Sequence, residues 1–162
     1  MNTLERMRKH SAKSKEKGVS GLLYIFFAVI IVGVLGIAFD GALGNYTANS
    51  IRDILNESTL AASNQTAYSG NTRVISSAAA KTKFKAEYSS LRTAYPNVTS
   101  QGNYTLNKFT VSNIKRNGKS SSTLTVKVTE HSKTFFMSII GQKQLTISPT
   151  AVARLGSLYE LK

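Results

Sequence analysis

The sequence predicts an α+β protein: a long N-terminal transmembrane helix continuing as a stem, then a helix packed on a small antiparallel sheet. Three observations predict it. Residues 19–39 are apolar and free of charge, apolar residues recur at helical spacing through 43–62 and 73–95, and from Tyr104 the period shortens to two. The chain has 162 residues, room for one small domain plus an anchor. Its 21 Lys and Arg against 8 Asp and Glu leave a formal net charge of +13. It has no Cys, which excludes a disulfide scaffold, a thiolate metal site and a thiol nucleophile. His10 and His131 lie far apart and lack a metal-ligand spacing. With no Gly-rich phosphate loop, no Gly-x-Ser-x-Gly and no evident carboxylate pair, neither enzymatic activity, cofactor nor metal is expected.

Residues 1–18 read as a basic cytoplasmic leader, with Arg6, Arg8, Lys9, Lys13, Lys15 and Lys17 against Glu5 and Glu16. Val19 to Phe39 follows as the transmembrane helix, bounded by Lys17 and Asp40. At ~1.5 Å per residue it reaches across a hydrocarbon core of roughly 30 Å. The twenty residues beyond it carry one base, Arg52, against Asp40, Asp53 and Glu57. The charge asymmetry places a single-pass protein in the cell membrane, N-terminus inside and the rest outside. A buried core helix is the weaker reading, because little else in the chain would cover it on all sides. A secretory signal cut after Ala38 is the other alternative, although such apolar regions usually run ~7–15 residues.

Residues 40–72 are expected to form a helical stem and linker. Ala48, Ile51, Ile54 or Leu55, Thr59 and Ala62 recur at steps of three and four. The expectation is a projecting rod, bent at Gly41 and Gly44, that ends in a polar break over 63–72. Residues 73–162 form the expected extracytoplasmic α+β domain. Its helix covers Arg73 to Tyr95: Ala78, Ala79 and Ala80 favour a helix, Phe84, Tyr88, Leu91 and Tyr95 make one stripe, and Pro96 ends it. Tyr104 to Ile114 reads as a strand, and Asn117-Gly118 as a hairpin turn. In Thr123 to Thr129, Leu124, Val126 and Val128 share the inner face. Phe135 to Ile140 reads as a short apolar strand, and Lys143 to Ser148 as another with Leu145 and Ile147 inward. Pro149 interrupts, and Ala151 to Leu155 continues as an edge strand.

The string GVSGLLYIFFAVIIVGVLGIAFDGALGNY, residues 18–46, resembles the opening of the pilin-like TadE/TadG proteins of the tight-adherence (Flp, type IVb) pilus machinery. Shared features are a basic leader, a Gly, an aromatic-containing apolar run and the Asp40-Gly41 pair at the membrane exit. IRDILNESTLAAS, residues 51–63, is similar to the family's following helix, and FFMSIIGQKQLTISPTAVARL to TadE-type C-termini. The resemblance implies a non-enzymatic component of a pilus or related secretion filament, with roles in adhesion or secretion. Its apolar helix would serve both as membrane anchor and as polymer core. The implied partners are other pilin-like subunits, pilus-assembly proteins and a prepilin peptidase cutting between Gly18 and Val19. Where pilins place Glu, five residues past the cleavage point, this chain has Leu23, followed by Tyr24. That departure points to an accessory or minor component rather than the major subunit. Contacts between subunits would use Leu22, Tyr24, Phe26, Phe27, Gly33 and Gly36, with Asp40 at the edge. Gly33, Gly36 and Ala38 also fit ordinary membrane-helix composition.

A second reading is a membrane-anchored basic module for polyanions such as DNA or a cell-wall polymer. Its candidate bases are Lys81, Lys85, Lys115, Arg116 and Lys119, with Tyr88, Tyr95 and Tyr104 as stacking partners. The bland counterpart is a basic surface without a specific ligand. Asp53 and Glu57, four apart on one helix face, fit a solvated acidic surface better than a cation site. The Asn-x-Ser/Thr triplets at Asn45, Asn56, Asn64, Asn97 and Asn103 would be glycan sites in a eukaryotic secreted protein, but beside a pilin-like start they read as chance in a chain rich in these residues.

Overall fold

The computed structural model describes residues 3–70, 72–94, 104–116 and 119–155. Helix α1 (Thr3–Ser63) runs without interruption through Gly41 and Gly44 and, at ~1.5 Å per residue, is roughly 90 Å long. A hairpin of β1 (Thr66–Ser69) and β2 (Thr72–Ile75) follows, then helix α2 (Ser77–Ala94). Next come β3 (Thr105–Arg116), β4 (Lys119–Lys133), a 3-10 turn over Met137–Ile140, β5 (Gln144–Ile147) and β6 (Thr150–Arg154). The class is α+β: helices α1 and α2 on one antiparallel sheet.

Strand β4 organises that sheet. β3 pairs with it antiparallel, with a bulge between Leu106 and Lys108, and β5 and β6 also pair with it antiparallel, end to end. Ile147 faces Glu130 and Thr150 faces Lys127, so β5 and β6 keep one register across the break that Pro149 makes. Arg116 pairs with Lys119 around Asn117 and Gly118, which lie outside the described residues.

The core holds Ile54, Leu55 and Ala62 from α1, Ala80, Phe84 and Tyr88 from α2, and Leu124, Val126 and Val128 from β4, with Ile75 and Ala151 closing its edges. Phe84 stacks on Tyr88 at 5.4 Å, and Phe109 tilts against Phe84 at 5.9 Å. Ile51 and Ile147 form a second cluster, flanked by Ala48 and Leu145.

Four expectations change. Instead of projecting as a rod, the stem supplies a core element, and the helical stripe through Ile51, Ile54, Leu55, Thr59 and Ala62 is its buried face. The polar break over 63–72 contains β1 and the start of β2, because Thr66 to Ser69 finds a partner in Thr72 to Ile75 across a turn where Gly70 takes φ +60°. For the same reason α2 begins at Ser77 rather than Arg73: Arg73, Val74 and Ile75 are committed to β2. Phe135 to Ile140 forms no strand. Its backbone donors turn toward α1, and the 3-10 turn ends at Gly141 with φ +93°.

Candidate functional site

Three features of the described residues bear on function. The first is the bare half of α1. Leu22, Tyr24, Phe26 and Phe27 are exposed, as are the large apolar residues onward to Phe39. Phe26 and Phe27 meet edge to face at 6.2 Å, but no other element covers them. Gly33 has open space where a Cβ would point. The helix is long and apolar enough to cross a membrane. Gly18 and Val19 lie on its backbone, and their surroundings are outside the described residues.

The second is the junction where that half meets the domain. Asp40 is only 5% exposed. Its Oδ1 accepts the Phe135 N–H at 3.0 Å and its Oδ2 accepts the Met137 N–H at 2.7 Å. Burial raises the carboxyl pKa, but the N–H groups of Met137, Phe135 and Phe136 more than offset it, so Asp40 titrates below its ordinary 3.8. One turn earlier, Phe136 packs directly on Gly36: a Cβ there would lie 2.9 Å from the Phe136 Cβ and closer still to its ring. Phe136 also meets Phe39 edge to face at 6.3 Å. Gly36 does permit a close approach, and in this structure a residue of the same chain makes it. Beyond Asp40, a cleft of about 510 Å³ opens between α1 and the β5 region, lined by Gly44, Ala48, Arg52, Leu145 and Pro149 among others.

The third is a buried ionic cluster that the sequence reading missed. Glu130 is 1% exposed and accepts hydrogen bonds from Tyr88 Oη at 3.1 Å, Arg92 Nε at 2.9 Å and Arg92 Nη2 at 3.2 Å. The Arg92 guanidinium also lies 6.0 Å from the Tyr104 ring centroid. Burial and the Glu130 charge push the Tyr88 hydroxyl well above its ordinary range. Breaking such a pair from one side typically costs about 3–5 kcal/mol, so its evident role is to fix α2 on the sheet. A signal was present: Glu130 continues the alternation of Leu124, Val126 and Val128, which places it inward.

The polyanion candidates are less concentrated. Lys81 and Lys85 share an exposed face of α2, while Lys83 pairs with Glu87 at 2.8 Å. Lys115, Arg116 and Lys119 sit where β3 meets β4, their side chains outside the described residues. Tyr88 is not available for base stacking, because its ring is in the core and its hydroxyl is on Glu130. Tyr104 packs on Tyr88 at 4.6 Å, and Tyr95 lies outside the described residues. Asp53 and Glu57 are both exposed. No protein-family model matches the chain, no curated protein matches its sequence, and no solved structure matches its fold.

Proposed function

We propose that this chain is a single-pass membrane protein, N-terminus inside and α+β domain outside, acting as a non-enzymatic, pilin-like component of a filament or secretion assembly. One observation carries the reading: α1 is a single helix, bare and apolar in one half and built into the domain core in the other. A module that only needed tethering would be served by a flexible linker, which decouples domain from anchor. Here the anchor and the core are one rigid rod, so lateral packing of the bare half sets the position of the whole domain. The bare surface from Leu22 to Phe39 is where neighbouring apolar helices would dock.

The test is site-specific photo-crosslinking in the cells that make the protein, with the reactive group at Leu22 or Phe26. Adducts to a second copy or to another single-pass protein are the expected result. Lipid adducts alone would reduce the protein to a solitary anchor and sink the assembly role. The N-terminal residue of the same membrane-extracted material reads out processing: Val19 means cleavage after Gly18, and Met1 or Asn2 means a permanent anchor.

A further inference from the structure

Resting on that membrane reading, we infer that the loop between β4 and β5 is a second lipid contact, a foot that dips into the outer leaflet beside the helix. The loop FFMSII, residues 135–140, leaves Phe135 66%, Ile139 82% and Ile140 70% exposed, an unusual display of large apolar side chains within one short loop. It is held in place at its inner side. Asp40 takes its first N–H groups, and Phe136 is seated on Gly36. The loop is therefore seated against the apolar half of α1, where Phe136 also meets Phe39.

Depth follows from helix geometry. Gly36 lies three residues inside the end of the apolar run at Phe39, which at ~1.5 Å per residue is roughly 5 Å below the outer boundary of the hydrocarbon. Interfacial elements insert by about 5–10 Å, so Phe136, seated on Gly36, lies at about the depth such elements reach. The backbone suits that environment as well. The Ile139 N–H reaches Phe136 O at 3.1 Å, Gly141 N–H reaches Ser138 O at 3.1 Å, and Gln142 N–H reaches Met137 O at 3.0 Å. Donors satisfied within the protein are what a low-dielectric boundary requires.

Charge identifies lipid rather than a second protein surface as the occupant. Lys133 and Lys143, both exposed, stand at the two roots of the loop, where Thr134 N–H bonds to Lys143 O. A lysine at each end of an apolar loop matches anionic headgroups above acyl chains.

The absence of cysteine makes the test clean. The full chain is reconstituted in phosphatidylcholine vesicles containing phosphatidylglycerol, with single variants Ile139→Cys, Val29→Cys or Thr150→Cys carrying an environment-sensitive fluorophore. All three positions are exposed, so labelling leaves the core intact. The Ile139 probe should show blue-shifted emission and quenching by lipids with a nitroxide near the headgroup end of the chain. The Val29 probe should be quenched by a nitroxide at the chain terminus, and the Thr150 probe by neither. Water-like emission at Ile139 with a quenched Val29 probe overturns the foot and leaves the anchor standing. Blue-shifted but unquenched emission at Ile139 means a protein occupant and overturns it too. An unquenched Val29 probe overturns the anchor and the foot together.

Discussion

Between Ser20 and Phe39, helix α1 exposes its large side chains; between Thr47 and Ser63, the same helix buries Ile51, Ile54, Leu55, Thr59 and Ala62 against α2 and the sheet. Both stretches share one backbone geometry. What differs is the distribution of apolar residues around the axis. In the first half they occur all round, which suits a solvent as apolar as the side chains themselves. In the second they form a stripe, with Arg52, Asp53, Asn56 and Glu57 on the outer side, which suits a helix with protein on one side and water on the other. Asp40 marks the changeover, and there the domain grips the helix through Phe135, Phe136 and Met137.

Aromatic truncation on either side of the changeover gives the largest expected difference. Phe84→Ala should lower domain stability by about 3–5 kcal/mol in denaturant unfolding of the detergent-solubilised protein. Phe26→Ala should leave that transition where it was, because Phe26 is exposed and, among the described residues, no side chain of the domain meets its ring. Comparable losses from the two variants would erase the distinction between the halves.

A subtler contrast pairs two glycines. Gly36→Ala should cost about 1–3 kcal/mol of loop docking, since the new methyl overlaps Phe136. Faster amide exchange at Phe135 and Met137 is the readout. Gly33→Ala meets open space and should leave those amides as protected as before. Unchanged protection in the Gly36 variant would mean that Phe136 does not rest on the helix as described.

Acid should produce the smallest and most local effect. The Asp40 carboxyl titrates below its unfolded value of 3.8, so its hydrogen bonds stabilise the docked loop at all higher pH. That contribution disappears as pH falls below 3.8 and through the folded value. Amide protection at Met137 should therefore drop in that window, and Asp40→Asn should remove the pH step. A step that survives in Asp40→Asn would assign the transition to another group.

Much of the fold was legible from local pattern. The helical stripe of 48–62, the aromatic stripe of α2, the alternation of β4 and the Pro149 break all reflect periodicity that neighbouring residues impose on one another. The same alternation, followed two residues past Val128, would have placed Glu130 inward, and Arg92 lies one helical turn from Tyr88, which it joins on Glu130. At Phe135 to Ile140, by contrast, local pattern misled. A hexapeptide with five large apolar residues satisfies strand propensity, and nothing within it reveals that its amides belong to a carboxylate some 95 residues away.

The amino-acid order was enough to establish an apolar helix of membrane-crossing length, a second amphipathic helix and an antiparallel β region, because each depends on residues a few positions apart. Only the tertiary structure decided that the stem is a core element, that Gly36 is a seat for Phe136, that Asp40 binds backbone rather than a neighbour, and that Glu130 is shared by Tyr88 and Arg92. Those outcomes depend on which distant surfaces meet. Burial and hydrogen bonding are properties of that meeting, and a one-dimensional pattern holds only one side of it.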